Sequence, residues 1–290
     1  MTDSNEGASP NLRPHREGHK GVDPTPVQFR AMTSAAFFDL DKTVIAKSSA
    51  LAFTGKLYKA GMVGRRALLR AAVSQAVFQL FGADHDQLEK VRDAMLNLTK
   101  GWDRAEIEQL VTETLEEVVS PLVFAEALFL IDEHMREERQ VYIVSASPEE
   151  VVRPLARYIG VDNVIATTAK VDAEGRYTGE VELYAYGPAK AEAVTAVASD
   201  RGISLADSYA YSDSATDLPL LEAVGNPHAV NPDKELREAA EERGWPILDF
   251  KRQVSLASRL TRPVPLISGA TVAGLVGAAI AWGLLRKKKA

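Results

Sequence analysis

Across residues 34–250, short apolar runs ending in polar or turn residues alternate with longer stretches of helical period. The runs are SAAFF (34–38), VYIVS (141–145), NVIAT (163–167), SYAYS (208–212) and HAVN (228–231), each of a length suited to a buried strand. Helical segments follow at 148–159, 188–201, 216–223 and 233–243, several opened by Pro or Asp, which suit a helix N-terminus. This βαβαβα order predicts an α/β fold of Rossmann-like kind built on a parallel sheet. Residues 171–184 (VDAEGRYTGEVELY) differ: turn residues around Gly175 and Gly179 and alternating apolar positions after them read as a β-hairpin excursion.

From 49 to 138 the pattern is helical throughout, in four or five segments placed between the first strand and the second. The expectation is an all-helical cap at 49–138 inserted into a core made of 34–48 and 139–250. The insert leaves the sheet directly after Asp39, Leu40 and Asp41. Ligands of open α/β sheets bind at the carboxyl ends of strands, so a cap there would cover the site and exclude water.

The two ends read differently. Residues 1–33 mix Pro, Gly, Asn and charges with no periodic apolar pattern, as a disordered tail does, and His15 and His19 within it read as solvated. No apolar segment of the secretory kind follows Met1, so the catalytic part is expected in the cytoplasm. Beyond a basic linker at 251–263, residues 264–285 (VPLISGATVAGLVGAAIAWGLL) carry no charge. That length suffices to cross a hydrocarbon layer of about 30 Å, so a C-terminal transmembrane anchor is expected. Basic residues on both flanks, Arg259 and Arg262 before it and Arg286 to Lys289 after it, leave its orientation open. Ala270, Gly274 and Ala278 form a small-residue face through which two such helices could approach, which leaves a homodimer open. Residues 64–82, basic and then apolar, read as a cap helix, with contact to a bilayer or an acyl chain as the sharper alternative; Asp84, His85 and Asp86 read as helix capping.

Composition removes several classes of function. Forty acidic residues against 34 basic give a net charge of −6, so nucleic acid is not an expected partner. Without cysteine there is no disulfide framework, thiol nucleophile or cysteine-bound zinc.

What remains is carboxylate chemistry. FFDLDKTVI places Asp39 and Asp41 two residues apart where the first strand ends. Ser145 in IVSAS, Lys190 in GPAKAEAV, and Asp213 and Asp217 in YSDSATDLPLLEA each stand at a strand end or a helix start. A carboxylate can attack phosphorus and form an aspartyl-phosphate, which splits one difficult hydrolysis into two displacements; Asp39 is the candidate nucleophile. Asp41 is placed to protonate the leaving oxygen and later to take a proton from water. So much negative charge calls for a hard cation with oxygen ligands, namely Mg2+ on Asp39, Asp213 and the main-chain carbonyl of Asp41. Lys190 would neutralise the phosphoryl group, Thr43 and Ser145 would donate to its oxygens, and Asp217 would orient Lys190 or bound water.

These motifs, in this order, resemble the four signature motifs of the haloacid dehalogenase superfamily, phosphatase branch, over about residues 35–250. A helical cap between the first and second motifs is similar to the C1-capped IB subclass that includes phosphoserine phosphatase. DxDxT falls on Asp39, Asp41 and Thr43, the second motif on Ser145, the third on Lys190, and the fourth on Asp213 and Asp217. The resemblance implies Mg2+-dependent hydrolysis of a phosphomonoester. Two departures bear on the substrate: the glutamate that holds an amino group in phosphoserine phosphatases has no counterpart near Ser48 and Ser49, and Ala146 and Ser147 replace a glycine pair. An ammonium without a carboxylate partner is bound poorly, so the expectation shifts from free phosphoserine toward another small-molecule ester or, given the anchor, a lipid or lysolipid phosphate. Asp41, Lys42 and Thr43 also echo the DKT of P-type pumps, but one apolar segment offers no transport path. An idle anchored domain that binds a phosphorylated partner is the remaining alternative, and the retention of four mutually repelling carboxylates speaks against it.

Overall fold

The computed structural model describes residues 33–64, 93 and 96–254. The expected tail, most of the 64–82 segment, Asp84 to Asp86 and the expected membrane segment at 264–285 lie outside the described residues. Among the described residues no helix is long and apolar enough to cross a membrane.

Seven strands form one sheet: β1 (Ala35–Asp39), β2 (Gln140–Pro148), β3 (Asn163–Val171), β4 (Tyr177–Leu183), β5 (Tyr209–Ser212), β6 (Asn226–Val230) and β7 (Ile247–Leu248). Their order is β4-β3-β2-β1-β5-β6-β7, parallel except for the antiparallel β3–β4 pair. The α/β fold and all five expected strands are present. The expected hairpin is the β3–β4 pair, and its first arm is a continuation of β3 rather than a separate strand. The sequence reading did not include β7, because two residues between Pro246 and Asp249 are too few to show a period.

β1 lies at the centre of the sheet, and its run of AAFFD reflects burial on both faces. Ala36 and Phe38 enter one apolar cluster and Ala35 and Phe37 the other, as the two-residue period of a strand requires. The seven described α-helices are α1 (Ser49–Lys59), α2 (Arg104–Val119), α3 (Ala125–Arg136), α4 (Glu149–Tyr158), α5 (Pro188–Arg201), α6 (Leu218–Ala223) and α7 (Lys234–Arg243). α3 and α4 cover the first face through Leu128, Ile131, Val152 and Leu155. α5, α6 and α7 cover the second through Val194, Leu220, Leu221 and Leu236.

Two helices of the insert are described at length. Asp103 caps α2 by accepting from the amides of Ala105 and Glu106, and α2 buries Ile107, Val111, Leu115 and Val119. The sequence boundary at 138 groups α3 with the insert, whereas its stripe of Ala127, Leu128 and Ile131 packs with the sheet. The entry to α2 is tied to the hairpin turn: Gly101 N donates to Tyr177 O (2.8 Å), Tyr177 N to Trp102 O (3.0 Å) and Arg104 N to Gly175 O (3.1 Å). Arg104 also pairs through Nε with the buried carboxylate of Glu150 at the start of α4, 3.0 Å away.

Beneath β1 and β5 lies an aromatic stack. Phe38 and Tyr211 are parallel with centroids 4.3 Å apart, and His228 stacks on Tyr211 at 4.7 Å. His134 of α3 contacts Tyr211 OH through Nε2 (2.8 Å) and Arg139 through Nδ1 (2.9 Å). A guanidinium only donates, so Nδ1 accepts and Nε2 carries the proton donated to Tyr211. Burial, with the charge of Arg139 adding to it, pushes the His134 pKa down to about 4 from 6.5.

The fold therefore favours the neutral ring, and the unfolded chain takes up the proton first as pH falls. The His134 contribution to stability is complete above about pH 6.5 and is lost on descending to about pH 4, for a total of about 3 kcal/mol. Urea denaturation at pH 7 and pH 5 should show roughly 2 kcal/mol of loss that His134→Gln lacks; identical pH slopes in the two proteins would contradict this assignment. A second expectation concerns Gly225, between α6 and β6, where a Cβ would stand 1.7 Å from the Ala206 carbonyl oxygen. Gly225→Ala should cost about 3 kcal/mol by overpacking. Gly55→Ala in α1, where a Cβ meets nothing within 4 Å, should instead add about 0.5–1 kcal/mol in the same titration.

Candidate active site

Parallel pairing sets the end of β1 beside its neighbours. Asp39 stands opposite Val144 and Phe38 opposite Tyr211, so Ser145 within β2 and Ser212 at the end of β5, with Asp213 just after it, come beside Asp39. β1 is also where the chain order changes direction: β2 and β3 lie to one side of it, and after β4 and α5 the chain crosses to β5 on the other. A crevice at such a switch point is where open α/β sheets bind ligands.

Past Asp39 the chain turns tightly. The amides of Val44 and Ile45 both donate to Leu40 O (2.9 and 3.0 Å), and Lys42 takes a left-handed φ of 63°. The turn buries Thr43 completely, and its Oγ1 has no hydrogen-bond partner. A buried hydroxyl without a partner is a costly arrangement unless a ligand completes it.

Lys190 enters from the first turn of α5, which Gly187 opens at φ 56° and Pro188 begins. Its Nζ is buried and donates to Asp39 Oδ1 (2.5 Å) and Asp217 Oδ2 (2.6 Å). Asp217 Oδ2 also accepts from Ser212 Oγ at 2.6 Å. Burial alone would lower the lysine pKa, but Asp217 and Asp39 outweigh it and hold the ammonium charged. Burial drives Asp39 well above the ordinary carboxylate range, with Asp217, Asp213 and Asp41 adding to that rise and Lys190 opposing it.

Asp213 is pushed up to about 6, mainly by burial, with the exposed Lys42 ammonium opposing from 3.8 Å. Its loop is braced by Asp233, whose N–H donates to Asp213 O (2.8 Å) while its carboxylate accepts from Ala215 N (3.0 Å) and Leu236 N (2.8 Å).

Asp41 faces a different set of partners. Its Oδ1 accepts from the Ser49 amide (2.7 Å), the first residue of α1, and its Oδ2 from Ser147 Oγ (2.9 Å). Burial raises its pKa, and the hydrogen bonds from Ser49 and Ser147 oppose the rise. Ser145 Oγ accepts from Ser147 N at 3.1 Å. The loop between them is held by Thr167, which donates to Ala146 O at 2.7 Å and accepts from Ala185 N at 3.2 Å.

The structure thus brings Asp39, Asp213, Asp217 and Lys190 into one charged group, with Asp41 and Thr43 on the turn that leaves β1 and Ser145 near the end of β2. Four carboxylates against one buried ammonium leave negative charge uncompensated. The donor set fits a hard cation: two carboxylates, Asp39 and Asp213, with the Asp41 carbonyl. Among the described residues no three His, Cys, Asp or Glu side chains are grouped to hold a metal alone. A cation that keeps water and substrate oxygens in its shell beside one or two carboxylates, as Mg2+ does, needs no third side chain.

Four further residues contribute to the site without a signal of that part in the sequence: Ser49, Ser147, Ser212 and Asp233. Ser49 and Ser147 stand in the two stretches that depart from the phosphoserine phosphatase pattern, and only the fold shows that both converge on Asp41. Ser212 is adjacent to Asp213 in the motif, but its bond to Asp217 depends on the turn between them. Asp233 is a helix cap by sequence, and nothing in its neighbourhood signals the contact with residue 213.

Comparison with known proteins places the chain in a family. The chain is 49% identical over 261 residues to an inhibition of morphological differentiation protein of Streptomyces azureus, covering 88% of this chain and 94% of that one. It is 48% identical over 262 residues to a probable phosphatase of Mycobacterium tuberculosis, covering 89% and 91%. A crystal structure of a protein of unknown function from Bordetella pertussis Tohama I superposes with a TM-score of 0.67 at 31% identity, over 75% of this chain and 99% of that one. The sequence profile of the haloacid dehalogenase-like hydrolases matches residues 36–222. With its motif residues gathered at the carboxyl ends of β1, β2 and β5 and at the start of α5, the chain belongs to the haloacid dehalogenase-like hydrolase family.

Proposed function

We propose that the chain is a Mg2+-dependent phosphatase that hydrolyses a phosphomonoester through an aspartyl-phosphate at Asp39. The observation that carries this reading is Asp39 at the switch point, held through Oδ1 by the buried Lys190 and followed two residues later by a separately supported carboxyl, Asp41. The relative described as a probable phosphatase supports it.

In the first step the Asp39 carboxylate attacks phosphorus and the bond to the leaving oxygen breaks. Asp41 gives that oxygen a proton; burial keeps its pKa raised, so it can carry one. In the second step Asp41 takes a proton from water, the hydroxide oxygen bonds to phosphorus, and the bond to Asp39 breaks. Lys190 stays charged throughout and offsets negative charge at the transferring group. Ser145 Oγ, already accepting from Ser147 N, has its own proton free for a phosphoryl oxygen, as does the unpartnered Thr43 Oγ1. Mg2+ on Asp39, Asp213 and the Asp41 carbonyl would supply charge neutralisation and Lewis acidity.

The uncharged stretch at 264–285 supports a second reading of the substrate, a lipid or lysolipid phosphate met at the membrane by a catalytic part on the cytoplasmic side. Phosphate release by the full chain in mixed micelles, compared over lysophosphatidate, phosphoserine, sugar phosphates and nucleotides, separates the readings. A preference for lysophosphatidate favours the lipid, and a preference for any soluble ester removes it.

Two outcomes test the mechanism itself. Asp39→Asn should lower phosphate release by at least about 10³-fold with the fold intact by circular dichroism, and turnover within tenfold of wild type would overturn the assignment. EDTA should abolish release and Mg2+ restore it; full activity in EDTA would overturn the metal assignment.

A further inference from the structure

We infer that Ser147 and Ser49 are positioning residues for the acid–base function of Asp41, acting as a directed hydroxyl chain that fixes both of its oxygens. The inference rests on the phosphatase reading above.

Asp41 lies on the turn that follows β1. Its two oxygens are claimed from different parts of the chain: Oδ1 by the Ser49 amide at the start of α1, and Oδ2 by the Ser147 hydroxyl at the end of β2. Ser49 Oγ in turn donates to Ser147 Oγ at 2.9 Å. Each hydroxyl has one proton to give. A carboxylate only accepts, so the proton of Ser147 is the one directed to Asp41 Oδ2, and Ser49 Oγ donates to the Ser147 oxygen in turn. Both serines are buried, Ser49 at 0% and Ser147 at 7% exposure, which shields the ring from competing water.

Ser147 acts at a second point. Its amide donates to Ser145 Oγ, so one residue sets both the direction of a phosphoryl donor and the plane of the acid. The closed ring of Asp41, Ser49 and Ser147 also spans the exit of β1, the first helix of the insert and the end of β2. The proton donor is thereby placed by the joint between cap and core.

A loosened Asp41 harms the step in which it protonates the leaving oxygen, and harms it most when that oxygen is basic. A good leaving group departs without help. The test is kcat/KM of the full chain with Mg2+ for 2,4-dinitrophenyl, 4-nitrophenyl, phenyl and ethyl phosphate, for wild type, Ser147→Ala, Ser49→Ala and Ser147→Thr. Ser147→Ala should lose less than about 3-fold on the dinitrophenyl ester and about 10²-fold on the ethyl ester, within the range of general acid catalysis. Ser49→Ala should show a smaller loss of the same slope, and Ser147→Thr, which keeps the hydroxyl, should recover most of it.

A uniform loss over the four esters, or none, would overturn the inference, since a merely structural role does not distinguish leaving groups. If Ser147→Ala does not fold, the slope of Ser49→Ala decides by the same criterion. Wild-type hydrolysis that Asp39→Asn leaves unchanged would instead overturn the phosphatase mechanism, and this inference with it. Hydrolysis that depends on Asp39 but shows a uniform loss removes the positioning role alone.

Discussion

The buried contact of Lys190 with Asp39 and Asp217 is the constraint around which the rest of the site is arranged. An ammonium out of water is tolerable only with opposite charge and full hydrogen bonding, and the two carboxylates supply the charge. The same ammonium makes it possible to hold Asp39 and Asp217 close together. Removing Lys190 leaves both carboxylates buried without their counter-charge, whereas removing either carboxylate leaves the ammonium one partner. The three groups come from the end of β1, the first turn of α5 and the turn after β5, so their contact also fixes how those three segments meet. Ser212 and Asp233 belong to the same arrangement, one completing the shell of Asp217 and the other bracing the loop that carries Asp213.

Asp41 stands apart from that cluster in a way that suits the separate role proposed for it. Asp39 faces a cation, whereas Asp41 faces an amide and a hydroxyl. Two carboxyl groups only two residues apart are thus placed in different electrostatic surroundings, one tied to a permanent charge and the other to neutral donors. Separation of this kind allows one carboxyl to serve as nucleophile while its neighbour exchanges a proton.

The insert meets the core through polar as well as apolar contacts. Arg104 at the start of α2 pairs with Glu149 and with the buried Glu150 of α4, and the adjoining backbone continues the hairpin ladder at Gly175 and Tyr177. α1 meets the core differently, through the Ser49 amide and hydroxyl at Asp41 and Ser147. Of these two helices of the insert, α2 is therefore anchored on the hairpin and α1 on Asp41.

How much of this was legible beforehand follows from the range of each interaction. Strand and helix periodicity is local, so β1, β2, β3, β5 and β6 and the helices between them could be read from residue patterns, and so could the motif positions at their ends. Asp39 and Asp41 together with Ser145, Lys190, Asp213 and Asp217 at strand ends and helix starts pointed to phosphoryl chemistry for the same reason: residue types and short spacings are written along the chain. The sequence did not carry the two-residue β7, the packing of α3 on the sheet, or the fusion of β3 with its hairpin arm, because partners supplied by other strands and helices decide them. Nor did it carry the convergence of Ser49, Ser147 and Asp41, which lie up to 106 residues apart and meet only because the parallel register sets the ends of β1 and β2 side by side. Sequence determined which groups are available to do chemistry, and tertiary structure decided which of them share a hydrogen bond, because a bond of about 3 Å depends on strand register and helix placement that no local pattern encodes.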